Sequence, residues 1–298
     1  MLKKFLSILM IATALTACGS NNGNKPTDNK DSINKEMNNT NTTMNDTTAK
    51  YVLLHTSLGD ITVMLYGDTP KHQANFLKLV GQGYYNNVLF HRVINQFMIQ
   101  TGDPDSRDAK PGQMLGQGGP GYQIDAEIVY PRHFHKRGAL AAARTADQIN
   151  PEKKSSGSQF YIVTGKTATE AELKQMAQQQ NYGAMQAEFD RLAQQHMSDI
   201  QRMQAAGDQA GLNALQQQLV AQVEAKFATQ QAPELPAEIK KTYTTVGGTP
   251  FLDNAYTVFG EVVSGMDVVD KIEKAQTDSN DRPTQDIRIL SAKVIDRP

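Results

Sequence analysis

Short apolar runs with a two-residue period recur along most of this chain, and helical spacing takes over in only a few places. Val52-Leu53-Leu54-His55-Thr56 and Ile61-Thr62-Val63-Met64-Leu65-Tyr66 flank Ser57-Leu58-Gly59-Asp60. Two extended runs around a glycine-bearing turn predict a hairpin. Thr69 then suits an N-cap and Pro70 the first helical position. Ala74, Leu77 and Val80 share one face of that helix with Phe76 beside them, and Gly81 or Gly83 ends it. Phe90 to Asp103 reads as a short extended segment kinked near Asn95-Gln96. Alternation puts Met98 and Gln100 on one face, and Arg92 joins them if the kink resets the register. Gly138 to Thr145 is small and apolar, and propensity alone allows it to start a helix. Met266 to Lys274 predicts a helix with Val268, Val269 and Ile272 inward, and Asp286 to Ile295 alternates as a final strand.

The pattern changes between Gly165 and Gly247, where Gln and Ala dominate. Thr169 with Glu172 forms a capping box. Met185, Phe189, Leu192, His196, Ile200 and Met203 follow at spacings of three and four. Gly207-Asp208 breaks the stripe, and Leu212, Leu215, Leu219, Val223 and Phe227 give a second. Two amphipathic helices joined by a short turn predict an antiparallel hairpin. His196 is expected to be a satisfied interhelix residue. The Met and Phe stripe is expected to be core, although Met-rich faces also adapt to varied partners.

The N-terminus adds a location. A basic start (Met1-Leu2-Lys3-Lys4), an apolar run from Phe5 to Leu15 and a small residue before Cys18 describe a secretory signal peptide over residues 1–17. The apolar run is too short to span a bilayer. Residues 19–50 are rich in Asn, Thr, Lys and Asp, and cannot bury enough surface to offset their ordering entropy, so they read as a flexible tether. Net charge is −1 with no basic block, which argues against a nucleic-acid partner. Cys18 is the single cysteine, so no disulfide forms within the chain and the fold rests on its apolar core.

Candidate chemistry starts at Arg92. A guanidinium beside Phe97 and Met98, with Gln100 in reach, is expensive unless a ligand uses it. Snorkelling from a strand end is the plainer account. The glycine-rich run Gly116-Gln117-Gly118-Gly119-Pro120-Gly121 lacks the Lys-Ser/Thr of a phosphate loop and precedes a strand-like segment. His133 and His135 lie two apart, but no third ligand stands at a telling spacing. A solvated pair near Arg132, Lys136 and Arg137 is expected there, with no metal.

Two resemblances sharpen this reading. Leu15-Thr16-Ala17-Cys18 resembles the lipobox of bacterial lipoproteins. That implies lipidation of Cys18, a lipid-anchored linker over 18–50, and a membrane-held protein of the bacterial cell envelope, periplasmic or outer-membrane. Phe90-His91-Arg92-Val93-Ile94, Phe97-Met98, Gln100 and Gly102-Asp103 resemble the signature of the cyclophilin family of peptidyl-prolyl isomerases, F-H-R-V-I-x-x-F-M-x-Q-x-G-D. Gly121-Tyr122-Gln123-Ile124-Asp125-Ala126-Glu127, Gly157-Ser158-Gln159-Phe160-Tyr161-Ile162 and Phe251-Leu252-Asp253-Asn254-Ala255-Tyr256-Thr257-Val258-Phe259-Gly260 resemble further family segments.

The resemblance implies a mainly β fold: a closed antiparallel eight-stranded β-barrel capped by two helices, as one domain over 51–298 with the helical hairpin inserted at 167–246. It makes 138–145 a strand whose end lines a peptide groove. It implies isomerisation of X-Pro bonds in exported polypeptides, without cofactor or metal. Arg92 and Gln100 become the catalytic pair. Phe97, Met98, Ala143, Arg144, Thr145, Gln159, Tyr161, Phe251, Leu252 and Tyr256 become the substrate-binding residues. Arg144 stands where many members have Asn, and Tyr161 replaces a pocket Phe, so its hydroxyl needs a partner. Tyr256 falls on the usual His. Phe251 replaces a Trp that contacts cyclosporin in the family, which argues against tight cyclosporin binding. Other classes remain: a holdase or adaptor that captures clients with the helical arm, or an envelope protein that merely inherits the fold.

Overall fold

The computed structural model describes residues 48–228 and 234–298. The expected signal peptide, Cys18 and nearly all of the tether lie outside the described residues. Two compact units share the chain. One contains Asp46–Tyr182 and Gln230–Pro298, and Gly183–Thr229 belongs to the other.

The first unit is built on strands β1 (Lys50–Thr56), β2 (Gly59–Leu65), β3 (Val88–Leu89), β4 (Arg92–Ile94), β5 (Met98–Thr101), β6 (Gln123–Ile124), β7 (Ala139–Ala142), β8 (Ser155–Ser156), β9 (Phe160–Val163), β10 (Val258–Ser264) and β11 (Arg288–Ile295). A nine-stranded sheet runs β3-β11-β1-β2-β10-β7-β9-β5-β4, and β6 pairs with β8 separately. Every adjacent pair in the sheet is antiparallel. The expected closed eight-stranded barrel is therefore corrected to a curled sheet. Its two edge strands, β3 and β4, are separated only by Phe90-His91, so the chain itself draws the edges together. Thr101 Oγ1 donates to Leu89 O at 2.8 Å, a side-chain stitch from β5 to β3 where a closed barrel would have a backbone ladder.

Alternation sends Val93, Ile99, Leu140, Phe160 and Ile162 into the main core beside Val52, Leu54, Ile61, Val63 and Ile289. Helices α1 (Pro70–Gly81) and α6 (Met266–Glu273) cover that core, with Val268, Val269 and Ile272 buried as expected. The buried face of α1 differs from the one the apolar spacing indicates. It is His72, Phe76, Leu79 and Val80, and Ala74 is exposed. A polar residue sets the face because Glu127 satisfies it. The Glu127 carboxylate accepts from Lys71 N (3.0 Å) and His72 N (2.9 Å) and lies 2.7 Å from His72 Nδ1. Thr69 holds the N-cap position, but its hydroxyl donates back to Tyr66 O. The cap is thus supplied from 55 residues away. Glu127→Ala is expected to destabilise this unit by about 2 kcal/mol, since two helix-terminal N–H groups and a buried imidazole lose their acceptor. Denaturant midpoints check this, and a shift below about 0.5 kcal/mol contradicts it.

Past the sheet, the capping box forms as expected at the start of α2 (Glu170–Gln195): Glu172 N donates to Thr169 Oγ1 and Thr169 N to Glu172 Oε2. The expected two-helix hairpin is corrected to more pieces. After α2 come α3 (Met197–Ala205), α4 (Gln209–Ala228) and α5 (Ala237–Thr245). The first stripe breaks at His196, which is half-exposed at the start of α3 with Nδ1 3.6 Å from Asp199, rather than buried between helices. Within 183–228, Phe189, Ile200, Leu215, Leu219, Val220 and Val223 form a core of their own, so these stripe residues are packed core. Helix α5 had no apolar stripe long enough to reveal it. It packs Ile239 and Tyr243 against Leu173, Tyr130 and Phe134. Among the described residues, no helix is long and apolar enough to cross a membrane.

Candidate active site

A single cross-strand row creates the site. Asn95 and Gln96 turn the chain between β4 and β5, with Gln96 at φ 58°, and the resulting register sets Arg92 opposite Gln100. Gln100 pairs with Tyr161, Tyr161 with Ala141, and Ala141 with Val258. Because residues directly opposite share a face, a guanidinium, an amide and an aromatic ring line up on the side away from the main core. The kink does reset the register, so Arg92 joins the face of Met98 and Gln100. On that side Met98, Ala141, Tyr161, Val163 and Val258 make a second apolar cluster, with Phe97, Ala143, Leu252 and Tyr256 packed on it.

A cleft of about 400 Å³ opens over this cluster and is lined by Arg92, Phe97, Met98, Gln100, Ala143, Arg144, Tyr161, Leu252 and Tyr256. Thr145 and Gln159 line a neighbouring cleft of about 590 Å³, which shares Gln100, Ala143 and Arg144 with the first. Phe251 stands at the side, half-exposed, with its ring 5.5 Å from that of Phe97. Residues to which the sequence assigned no role also line the first cleft, notably His91, Gln117 and Asp281. His91 and Gln117 lie inside the signature and the glycine-rich run, where neighbouring residues carried the reading, and Asp281 comes from a distant loop with no local pattern to reveal it.

The polar groups have defined orientations. Gln159 Nε2 donates to Gly118 O at 2.8 Å, and Gln100 Nε2 donates to Gln159 Oε1 at 3.0 Å. These two bonds fix both amides, and they leave Gln100 Oε1 as an acceptor. Arg92 Nε approaches Asp281 Oδ2 at 3.4 Å, with both side chains 43% exposed. Among the described residues that is the only side-chain hydrogen bond Arg92 makes, so its terminal nitrogens remain available at the cleft. An exposed pair at this distance is worth about 0–1 kcal/mol. Asp281→Asn is therefore expected to change turnover by less than about fivefold while flattening its salt dependence. Rates at low and high salt check this, and a large loss would make Asp281 part of the catalytic machinery.

Arg144 is committed to the wall. Its guanidinium stacks 4.4 Å from the Tyr256 ring centroid, and Nε donates to Ala255 O at 2.8 Å. Ala143 N donates to Gln159 O, so that N–H is spent within the sheet. The glycine-rich loop is explained by Asp103, whose Oδ2 accepts from Gly116 N and Gly118 N. A Cβ at Gly118 would fall 2.1 Å from Asp103 Oδ1. The amides that could cradle a phosphate instead bind the loop to the signature strand.

The histidine pair is corrected. His133 stacks on Tyr66 at 3.9 Å and meets Asp68 at 2.7 Å, and His135 is fully buried. His135 Nε2 lies 3.0 Å from Tyr161 Oη, so the pocket tyrosine has its partner. Burial pushes the Tyr161 hydroxyl well above the ordinary phenol range. Among the described residues no group of three His, Cys, Asp or Glu could hold a metal. Ser155, His72 and Glu127 are spaced like a hydrolase triad, but Ser155 is 1% exposed and reaches no substrate.

Comparison with known proteins places this geometry in a class. The family model described as Cyclophilin type peptidyl-prolyl cis-trans isomerase/CLD matches residues 51–210 and 239–294. The chain belongs to that family. It is 32% identical over 244 residues to Peptidyl-prolyl cis-trans isomerase CYP71 of Arabidopsis thaliana, covering 82% of this chain and 24% of the plant protein. It is 30% identical over 248 residues to a Staphylococcus saprophyticus protein provisionally named a peptidyl-prolyl cis-trans isomerase, covering 82% of this chain and 91% of that one. A Cryptosporidium parvum cyclophilin-type isomerase crystal structure aligns with TM-score 0.48 and 21% identity, over 84% of this chain and 99% of that one.

Proposed function

We propose that this chain accelerates cis-trans isomerisation of X-Pro bonds in exported polypeptides, with Arg92 as the catalytic cation and the apolar cleft as the proline slot. The observation that carries the reading is the shared face of Arg92, Gln100 and Tyr161 above Phe97, Met98 and Leu252. Rotation about a peptide bond forfeits resonance at a barrier of about 18–20 kcal/mol. A proline amide crosses it unaided in roughly tens to hundreds of seconds. No bond is made or broken, so the catalyst need only bind the twisted amide better than the planar one.

Phe97, Met98, Tyr161 and Leu252 hold the pyrrolidine ring. As the bond twists, the prolyl nitrogen pyramidalises and gains a lone pair, and an Arg92 terminal N–H donates to it or to the adjacent carbonyl. Gln100 Oε1 accepts from the substrate backbone or from the guanidinium. Arg144 and Thr145 offer backbone along which an extended peptide lies. Displacing water from the slot strengthens each contact. A cation kept loosely paired beside the slot favours the isomerase over a peptide-binding adaptor.

Residues 1–18 support a lipid anchor on Cys18 and a place in the bacterial envelope, facing clients that fold after export. Phe251 is too small and too exposed to replace the indole that grips cyclosporin, so weak cyclosporin binding belongs to the same proposal. The test is refolding of a protein limited by a native cis proline. The full chain at catalytic concentration is expected to shorten the slow phase in proportion to its amount. An unchanged phase overturns the reading.

A further inference from the structure

Beneath the slot, side chains form a continuous buried relay that the isomerisation itself does not use. Tyr243 Oη donates to Asp253 Oδ2 at 2.6 Å. Asp253 Oδ1 accepts from His135 N at 2.9 Å and lies 3.0 Å from His135 Nδ1. His135 Nε2 completes the relay at 3.0 Å from Tyr161 Oη. Tyr243 and His135 are fully buried and Tyr161 is 4% exposed.

The direction of each bond follows from chemistry. An ionised carboxylate only accepts, so Nδ1 carries the imidazole proton and Nε2 presents a lone pair. With the imidazole in that neutral form, Tyr161 donates to His135 Nε2. Burial raises both tyrosine hydroxyls, and for Tyr243 the Asp253 charge adds to it, so both stay protonated donors. The single proton of Tyr161 is thus committed below the slot, and the slot meets only the ring. Without His135, that buried donor would seek water in the slot or the substrate carbonyl, in competition with Arg92.

The far end of the relay is held by α5. Tyr243 O accepts from Ala168 N at 3.0 Å, and its ring meets Phe134 edge-on at 5.4 Å. Tyr243 lies in the stretch 167–246 that reads from sequence as inserted.

We propose that Tyr243, Asp253 and His135 are positioning residues for the proline slot, through which α5 keeps the Tyr161 hydroxyl turned out of the substrate's path. The proposal rests on the slot reading above and deepens it.

The test measures the loss in kcat/KM for a short proline peptide caused by His135→Leu in two backgrounds, the natural chain and Tyr161→Phe. In the natural chain the loss is expected to be about tenfold, the cost of a stranded buried hydroxyl, and in the Tyr161→Phe background less than about twofold. Tyr243→Phe, which removes one oxygen, is expected to cost about threefold in the natural chain and nothing measurable in the Tyr161→Phe background. It decides the matter if His135→Leu does not fold. Equal losses in both backgrounds, or no loss in either, overturn the proposal, because a purely structural role is indifferent to the Tyr161 oxygen. Arg92→Ala in the same assay separates the two readings. If it is inactive and the rescue fails, the relay is wrong and the slot stands; if it is active, the slot reading falls.

Discussion

Arg92→Ala is expected to lower kcat/KM by about 10²–10³-fold, the usual consequence of removing one preorganised donor from a site that stabilises developing charge. Peptide affinity should change far less, because the planar ground state has no lone pair on the prolyl nitrogen for the guanidinium to meet. The fold should survive. The Arg92 side chain is 43% exposed and its one ion pair is long, so truncation should cost no more than about 0.5 kcal/mol. A guanidinium locked to a carboxylate remote from the slot would have defeated this account. Asp281 lines the same cleft and touches only Nε. Kinetics, a binding isotherm and a thermal melt on one preparation check the three parts together. A variant that loses affinity and rate equally would make Arg92 a ground-state binding residue.

Acid is expected to destabilise the sheet unit through His91, which sits next to the catalytic cation. His91 is 4% exposed, and both ring nitrogens lack a partner among the described residues. Burial, opposed by Asp103 and assisted by Arg92, lowers its pKa from 6.5 to about 4. The folded chain thus keeps the ring neutral down to about pH 4, while the unfolded chain takes up a proton near pH 6.5. Between those values the unfolded state binds more protons, so stability rises with pH. The contribution is fully present above pH 6.5 and is lost as pH falls to 4, amounting to about 3 kcal/mol. His72 shifts the same way, burial outweighing Glu127. Urea midpoints between pH 7 and pH 4 for the natural chain and His91→Phe isolate the effect. The apolar ring should remove the His91 share of about 3 kcal/mol and leave the His72 share, and identical slopes would contradict the assignment.

The parts legible in the sequence were those whose determinants are local. The β1–β2 turn, the capping box at Thr169 and Glu172, and the inward residues of α6 each depend on neighbours within a few positions. Met98 and Gln100 were readable as one face from alternation, and Arg92 joined them once the kink reset the register. The roles of these three and Phe97 came from the resemblance of the whole stretch to the family signature. What was missed depends on partners far along the chain. The face of α1 turns on Glu127 satisfying His72 from 55 residues away, and no periodicity reveals a buried histidine. His135 looked solvated beside Arg132, Lys136 and Arg137, yet Asp253 and Tyr161 bury it. The insertion stripe ran through His196 without a signal for the break there. Asp281 reaches the cleft from a loop near the other end of the chain, at φ 61°, a backbone state that no sequence pattern marked.

Two-dimensional exchange NMR of a short Ala-Pro peptide at equilibrium tests the central claim most directly, because it reports rotation of the bond and nothing else. With a catalytic amount of the full chain, cross-peaks linking the cis and trans proline resonances should appear within a mixing time of about a second, against tens of seconds or more unaided. They should vanish with Arg92→Ala at the same concentration. Cross-peaks that persist in that variant, or that never appear with the natural chain, would contradict an arginine-assisted twist in an apolar slot.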